Sequence, residues 1–270
     1  MKSIVAALGA TTVAWFLFSG AAHTQGDACL SQLQNSTPPT LVNAKLAAKT
    51  TQLCFSEFVV LHSGVSKTPV WSAEHLTAER IDAATGLPRP RSNAFHAEQR
   101  LPRGERSELS DYKGSGFDRG HMSPNGDMSN EQAQYESFSL ANMIPQSPCH
   151  NEVLWEGIES GVRQLTRDVG DVYVVTGPAF DGEDVASLDG VLVPTNVFKA
   201  IYVPSQNAAG AYWTPNDDSQ KWEAVSIAKL QELTGIDVFP GLDAAVKRVS
   251  MTLPMATPHH RCRVRISGNQ

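Results

Sequence analysis

This 270-residue chain has only four cysteines, and no two of them form a Cys-x-x-Cys pair. A zinc site built on cysteine therefore has little support. Internal repeats and low-complexity tracts are also missing, so neither a repeat array nor a compositionally biased linker organises the chain. Positive charge is not in excess. The net charge of −6 argues mildly against a general binder of polyanions. Long apolar runs are scarce too. The run from Ile4 to Phe18 ends quickly in Ser19, Gly20, Ala21 and Ala22, too soon to span a bilayer comfortably.

What is present has the makeup of a folded domain, 41% hydrophobic and 19% charged. Lys2, the apolar run and the small residues after it have the layout of a secretory signal peptide. Residues 1–24 are assigned to it, with cleavage between Ala22 and Gly26. The expectation is a periplasmic or secreted protein with no stable membrane association after cleavage. An even cysteine count outside the cytoplasm suggests two disulfides. Four cysteines allow three pairings. Short sequence distance favours Cys29–Cys54 and leaves Cys149–Cys262; free buried thiols are the alternative. Residues 25–53 then read as a disulfide-tethered leading segment and 54–270 as the main domain. Charge is uneven along the chain. Lys247, Arg248, Arg261, Arg263 and Arg265 form a basic run with no acidic residue among them. A basic groove on an acidic protein is compatible with this, as is a solvated tail.

Residues 55–64 and 68–76 carry β-branched and apolar side chains and predict strands. So do "VYVVTGPAF" (172–180) and "VLVPTNVFKAIYVP" (191–204). Residues 85–114 are rich in Gly, Pro, Arg and Ser and predict a long irregular loop. Ser226 to Leu233 predicts a short helix closed by Gly235. Strands mixed with scattered helices predict an α+β fold with a mixed or antiparallel sheet.

The chemistry concentrates in "SGFDRGHMSPNGDM" (115–128). In an extended segment residues i and i+2 share a face, so Arg119 and His121 project together. Gly120 between them lets another element approach the opposite face. A neighbouring cation would lower the imidazole pKa, and a neutral ring can act as a general base. Asp118 is expected to pair with a nearby arginine, and Gly126-Asp127 to make a turn. Downstream, "PQSP" interrupts regular structure and a helix starts near Asn151. There Asn151, Trp155 and Glu159 recur at intervals of four and lie along one side. An Asn oxygen is a hard ligand suited to Mg²⁺, although helix capping is the commoner task of such an Asn. Trp155 is assigned to the core.

"DRGHMSP", "SLANMIPQ" and "NEVLWEGIE", in that order and spacing, resemble the signature of the DNA/RNA non-specific endonuclease family. That family is a branch of the ββα-metal (His-Me finger) nucleases, a group that includes endonuclease G. The resemblance spans roughly residues 54–245. It implies a ββα-metal finger set on a sheet with flanking helices. The implied activity is hydrolysis of DNA and RNA phosphodiesters without sugar specificity, leaving 5′-phosphate and 3′-hydroxyl ends. It implies Mg²⁺ as cofactor, with Mn²⁺ as a substitute. His121 matches the general base, Asn151 the sole direct protein ligand of the ion, and Glu159 the residue that orients its water. Arg119 matches the arginine beside the base, and Asn142 the asparagine that fixes the site around the histidine. Gln146 is given a supporting, substrate-side role. A loop arginine that contacts the phosphate matches Arg91, with Arg89 as the alternative. DNA and RNA are the implied partners. Relatives include homodimers, and a protein inhibitor is a further partner class. A non-catalytic nucleic-acid-binding protein on the same fold is the competing reading.

Overall fold

Runs of β-branched and aromatic residues assemble into one seven-stranded sheet whose faces are both covered. The computed structural model describes residues 29–88, 94–182, 184–257 and 262. In its first half lie strands β1 (Thr40–Leu41), β2 (Thr50–Cys54), β3 (Val59–Ser63) and β4 (Thr68–Thr77), then helix α1 (Ala78–Thr85). Strand β5 (Asp118–His121), helix α2 (Glu131–Ser137), strand β6 (Met143–Gln146) and helix α3 (Glu156–Val169) follow. The second half holds β7 (Asp171–Ala179), β8 (Ser187–Leu188), β9 (Val191–Leu192), β10 (Asn196–Val203), β11 (Ala208–Pro215) and β12 (Glu223–Val225). Helix α4 (Ile227–Thr234), strand β13 (Ile236–Asp237) and helix α5 (Ala244–Arg248) complete it.

The main sheet has the order β12-β11-β10-β7-β4-β3-β2, and every neighbouring pair is antiparallel. The fold is thus α+β, as the element pattern predicts. Alternation along each strand divides the core. Trp71, Ala73, Val175, Phe198 and Ala200 point to one face and pack with Ile227 and Leu230 of α4. Leu76, Val174, Val197 and Ile201 point to the other, against Leu154, Trp155, Ile158 and Val162 of the α3 region. Each such large side chain contributes about 1.5–3 kcal/mol on burial. Because both faces are covered, β10 is buried at every position from Val197 to Val203. Apolar continuity without alternation is the signature of such a strand.

Strands β5 and β6 pair with each other apart from the main sheet, and α3 follows them, giving a ββα unit. Helix α4 carries the cap chemistry its sequence predicts: Ser226 accepts from Lys229 N, and Gly235 closes it at φ 70°, a left-handed conformation that favours glycine. The Cys29–Cys54 and Cys149–Cys262 disulfides are both formed, across sequence separations of 25 and 113 residues. Two boundaries differ from expectation. The leading segment 25–53 includes most of β2, which edges the main sheet, so a division at residue 53 cuts through a strand. The strand expected over 55–64 begins only at Val59, because Phe55 turns to meet the Phe58 carbonyl. Residues 1–24, assigned to a signal peptide from the sequence, lie outside the described residues. No helix among the described residues is long and apolar enough to cross a membrane.

Candidate active site

The register of β5 against β6 places the site. His121 faces Met143, Gly120 faces Ile144, Arg119 faces Pro145 and Asp118 faces Gln146. Gly120 and Gln146 therefore share one side, and Arg119 and His121 the other. A Cβ at position 120 would stand 1.7 Å from Gln146 Oε1 and 2.7 Å from its Cβ. This close approach is the backbone requirement that glycine meets. Gln146 is fully buried there and donates through Nε2 to His150 Nδ1 at 2.6 Å. It supports the hairpin from behind; its side chain lies on the face away from Arg119 and His121. The substrate-side role assigned to it from sequence is corrected accordingly.

His121 sits in an aromatic corner. Its ring meets Phe138 edge-on at 5.0 Å and Phe95 at 5.8 Å. Nε2 is buried and unpartnered, so the ring meets the site through Nδ1. Burial pushes the imidazole pKa down to about 4, which keeps the ring neutral near pH 7. The expected cause was the neighbouring arginine, and this is corrected: desolvation is the cause, while the Arg119 guanidinium is turned over the Phe95 ring at 4.2 Å. Among the described residues no carboxylate pairs with Arg119, so its charge is available to an anion.

Asn142 is completely buried and clamps the chain just past His121. Its Oδ1 accepts from Ser123 N at 3.0 Å, and its Nδ2 donates to Ser123 O at 2.8 Å and to Ser137 O at 2.9 Å. Its backbone carbonyl accepts from Met122 N at 3.0 Å. A side chain that uses both ends of its amide in this way holds one backbone geometry.

Helix entry is a π-helical turn, His150–Trp155, that runs directly into α3. Such wide turns recur at functional sites. Asn151 lies inside this turn and does not cap it. Its Nδ2 donates to Asp118 Oδ2 at 3.1 Å, which leaves Oδ1 as the outward atom. Asp118 thus meets an amide, and no arginine pairs with it among the described residues, contrary to expectation. Asp127 does take an arginine: it is buried in its turn and accepts from Arg163 at 3.1 Å. Glu159 is partly buried two turns beyond Asn151. Burial raises its pKa to about 7, against the pull of Lys199 and Arg163. Trp155 is 1% exposed and belongs to the core, as expected. Arg91 and Arg89 lie outside the described residues.

A cavity of about 540 Å³ opens beside these groups, lined by Phe95, Leu109, Tyr112, Lys113, Phe117, Asp118, Arg119 and Asn151. A more apolar pocket of about 530 Å³ between α4 and the β3–β4 turn lies away from this chemistry. Among the described residues no three His, Cys, Asp or Glu side chains converge on one point. The donors at hand are one amide oxygen and one carboxylate. They fit a hard divalent ion that keeps most of its own waters, and fit a nitrogen- and sulfur-bound zinc poorly.

Sequence reading missed the groups beneath the finger. Ser72 Oγ meets Ser123 Oγ at 2.8 Å, Thr214 Oγ1 meets His150 Nε2 at 2.8 Å, and Lys199 Nζ reaches Thr176 Oγ1 at 2.8 Å. The one available signal was a lysine inside the apolar strand "NVFKAIYV". Phe95 and Phe138 gave none, since nothing in their local sequence marks them as neighbours of His121.

Known proteins resemble this chain in sequence and fold. The DNA/RNA non-specific endonuclease family profile matches residues 37–245. Nuclease C1 of Cunninghamella echinulata var. echinulata is 34% identical over 226 residues, 78% of this chain and 89% of that protein. The mitochondrial nuclease EXOG of Danio rerio is 33% identical over 70% of this chain, which spans 60% of that protein's length. A chain from the crystal structure of an EndoG/EndoGI complex superposes with a TM-score of 0.63 at 28% identity, covering 72% of this chain and 88% of that one. Match, coverage and fold agree: this chain belongs to the DNA/RNA non-specific endonuclease family and is a nuclease.

Proposed function

We propose that the chain is an exported, Mg²⁺-dependent endonuclease that cuts DNA and RNA to 5′-phosphate and 3′-hydroxyl ends, with Mn²⁺ as a substitute ion. One observation carries the reading: a neutral, unpaired imidazole shares a strand face with an unpaired guanidinium, beside an outward amide oxygen. Family membership supports the nucleic-acid substrate. The N-terminal layout and the two disulfides support export.

His121 takes a proton from the attacking water through Nδ1. It is suited to this because burial holds it neutral at physiological pH. Arg119 offsets the negative charge that grows on the phosphoryl oxygens. Arg91, matched by sequence alone, is proposed to share that task. Asn142 fixes the backbone after His121, so the ring does not have to find its angle during the reaction. Glu159 orients water on the helix side. Asn151 Oδ1 would hold the ion, which when bound supplies charge relief at the phosphate and at the leaving oxygen. Phosphate contacts carry no sequence information, so cutting that rests on them is of low specificity.

The test is cleavage of supercoiled plasmid and of single-stranded RNA by the mature protein with Mg²⁺, with EDTA, and with His121→Ala. Loss of both cleavages with EDTA and with the variant supports the reading. Cleavage of neither substrate by the wild type under any divalent ion sinks it in favour of binding without catalysis.

A further inference from the structure

Lys199 is a buried lysine that the proposed chemistry leaves unused. It stands in mid-strand on β10 and is 1% exposed. Burying an ammonium is costly unless its donors are met. Lys199 directs Nζ to Thr176 Oγ1 at 2.8 Å, the residue directly opposite on β7, and to Met122 O at 3.4 Å. Met122 follows His121 in the chain. Nζ also lies 5.4 Å from the centre of the Trp155 ring, in the π-helical turn that carries Asn151. One buried cation therefore touches the strand that presents His121 and the helical run that presents Asn151 and Glu159.

Its surroundings are organised in the same sense. The sheet face under the ββα unit carries Ser72, Glu74, Thr176, Lys199 and Thr214. Ser72 holds Ser123, Thr214 holds His150, and Lys199 holds the Met122 carbonyl between them. Glu74 is 1% exposed, with neither carboxylate oxygen hydrogen-bonded, and its pKa is raised to about 8 by burial. The acidic groups around Lys199 are Glu74 and Glu159, and Arg80, 3.6 Å from Glu74, and Arg163 add further positive charge. The apolar side chains around this seam would let the finger slide on the sheet; directed bonds from a buried cation do not.

We propose that Lys199 is a positioning residue for the hydrolysis, setting His121 relative to the helix of Asn151 and Glu159 through the Met122 carbonyl and the Trp155 ring. The proposal rests on His121 being the base, and its test keeps the two apart.

The experiment is a double-mutant cycle on plasmid cleavage with Lys199→Met, His121→Ala and the pair. Thr176→Val is a second route that removes one Nζ partner at nearly constant volume. Lys199→Met is expected to lower kcat at least tenfold with KM for DNA changed less than threefold. In the His121→Ala background it should cost less than twofold more, because a residue acting through His121 has nothing left to position. Thr176→Val should follow the same pattern at a smaller amplitude, and it carries the test if Lys199→Met does not fold. Losses that multiply in the double variant, or a KM rise with kcat intact, overturn the proposal, as does full activity of both single variants. An inactive wild type, or a His121→Ala variant as active as wild type, instead overturns the underlying assignment of the base.

Discussion

The smallest unit with a measurable consequence is the ring of His121. His121→Ala should lower kcat/KM on DNA and on RNA by roughly 10²–10⁴-fold, the range of a lost general base. The melting temperature should fall only by what the ring's packing against Phe95 and Phe138 contributes, because the deleted Nε2 has no hydrogen-bond partner to lose. The pH–rate profile is the sharper measurement. With the imidazole pKa held near 4 by burial, its protonation should not limit kcat/KM until the pH approaches 4. An acid limb at the ordinary histidine value of 6.5 that vanishes in His121→Ala would show that burial does not keep the ring neutral. Gly120 tests the other side of the same strand. Gly120→Ala places a methyl against Gln146 and should destabilise by about 1–3 kcal/mol, the cost of overpacking. A urea midpoint unchanged from wild type would mean that Gln146 yields freely. The need for a small residue here was legible in the sequence, from the glycine between two functional side chains. The identity of the group filling the space was not, since Gln146 reaches it through strand pairing.

Among the elements, the entry to α3 is the most dependent on distant chain. Its first turn is π-helical, its His150 is held by Gln146 and Thr214, and Cys149 ties it to Cys262. A cross-link closing a loop of that length stabilises by about 4–5 kcal/mol on the loop-entropy account. Cys149→Ser with Cys262→Ser should therefore lower the melting temperature markedly. Activity at low temperature should fall less, because Asp118 and the sheet still hold Asn151. A double variant that melts with wild type would remove the disulfide from any structural role. The helix itself was legible from its spacing, but its wide first turn was not. Local propensity does not distinguish a π-helical turn from an α-helical one; the partners of His150 and Asn151 do.

Across the whole molecule, buried ionisable groups set opposing pH dependences. Burial lowers the pKa of His62, His121 and His150, the last two to about 4. The unfolded chain binds more protons at these sites, so their stability is complete above 6.5 and is lost as pH falls toward 4. Burial raises Glu74 to about 8 and Glu159 to about 7. Their contribution is complete below the unfolded value of 4.5 and is lost as pH rises through 7 and 8. The two sets oppose each other from 4.5 to 6.5, and the glutamates act alone above that. Without divalent ions, the urea midpoint should peak near pH 6–7 and decline by pH 8.5. A midpoint still rising at pH 8.5 would contradict the burial of the two glutamates.

The sequence by itself determined the order and identity of the motif residues, the sharing of a face by Arg119 and His121, and most strands of the sheet. These are properties of spacing along one element, where a period of two or near four decides which side chains lie together. Tertiary structure alone decided which groups surround them. It put Asp118 on Asn151 where an arginine was expected, Gln146 behind the hairpin, and Lys199 beneath the base. It also made burial the cause of a neutral His121. Such contacts join residues tens of positions apart across packed layers. Burial and partner choice depend on what the rest of the chain brings to that point, which no local pattern encodes.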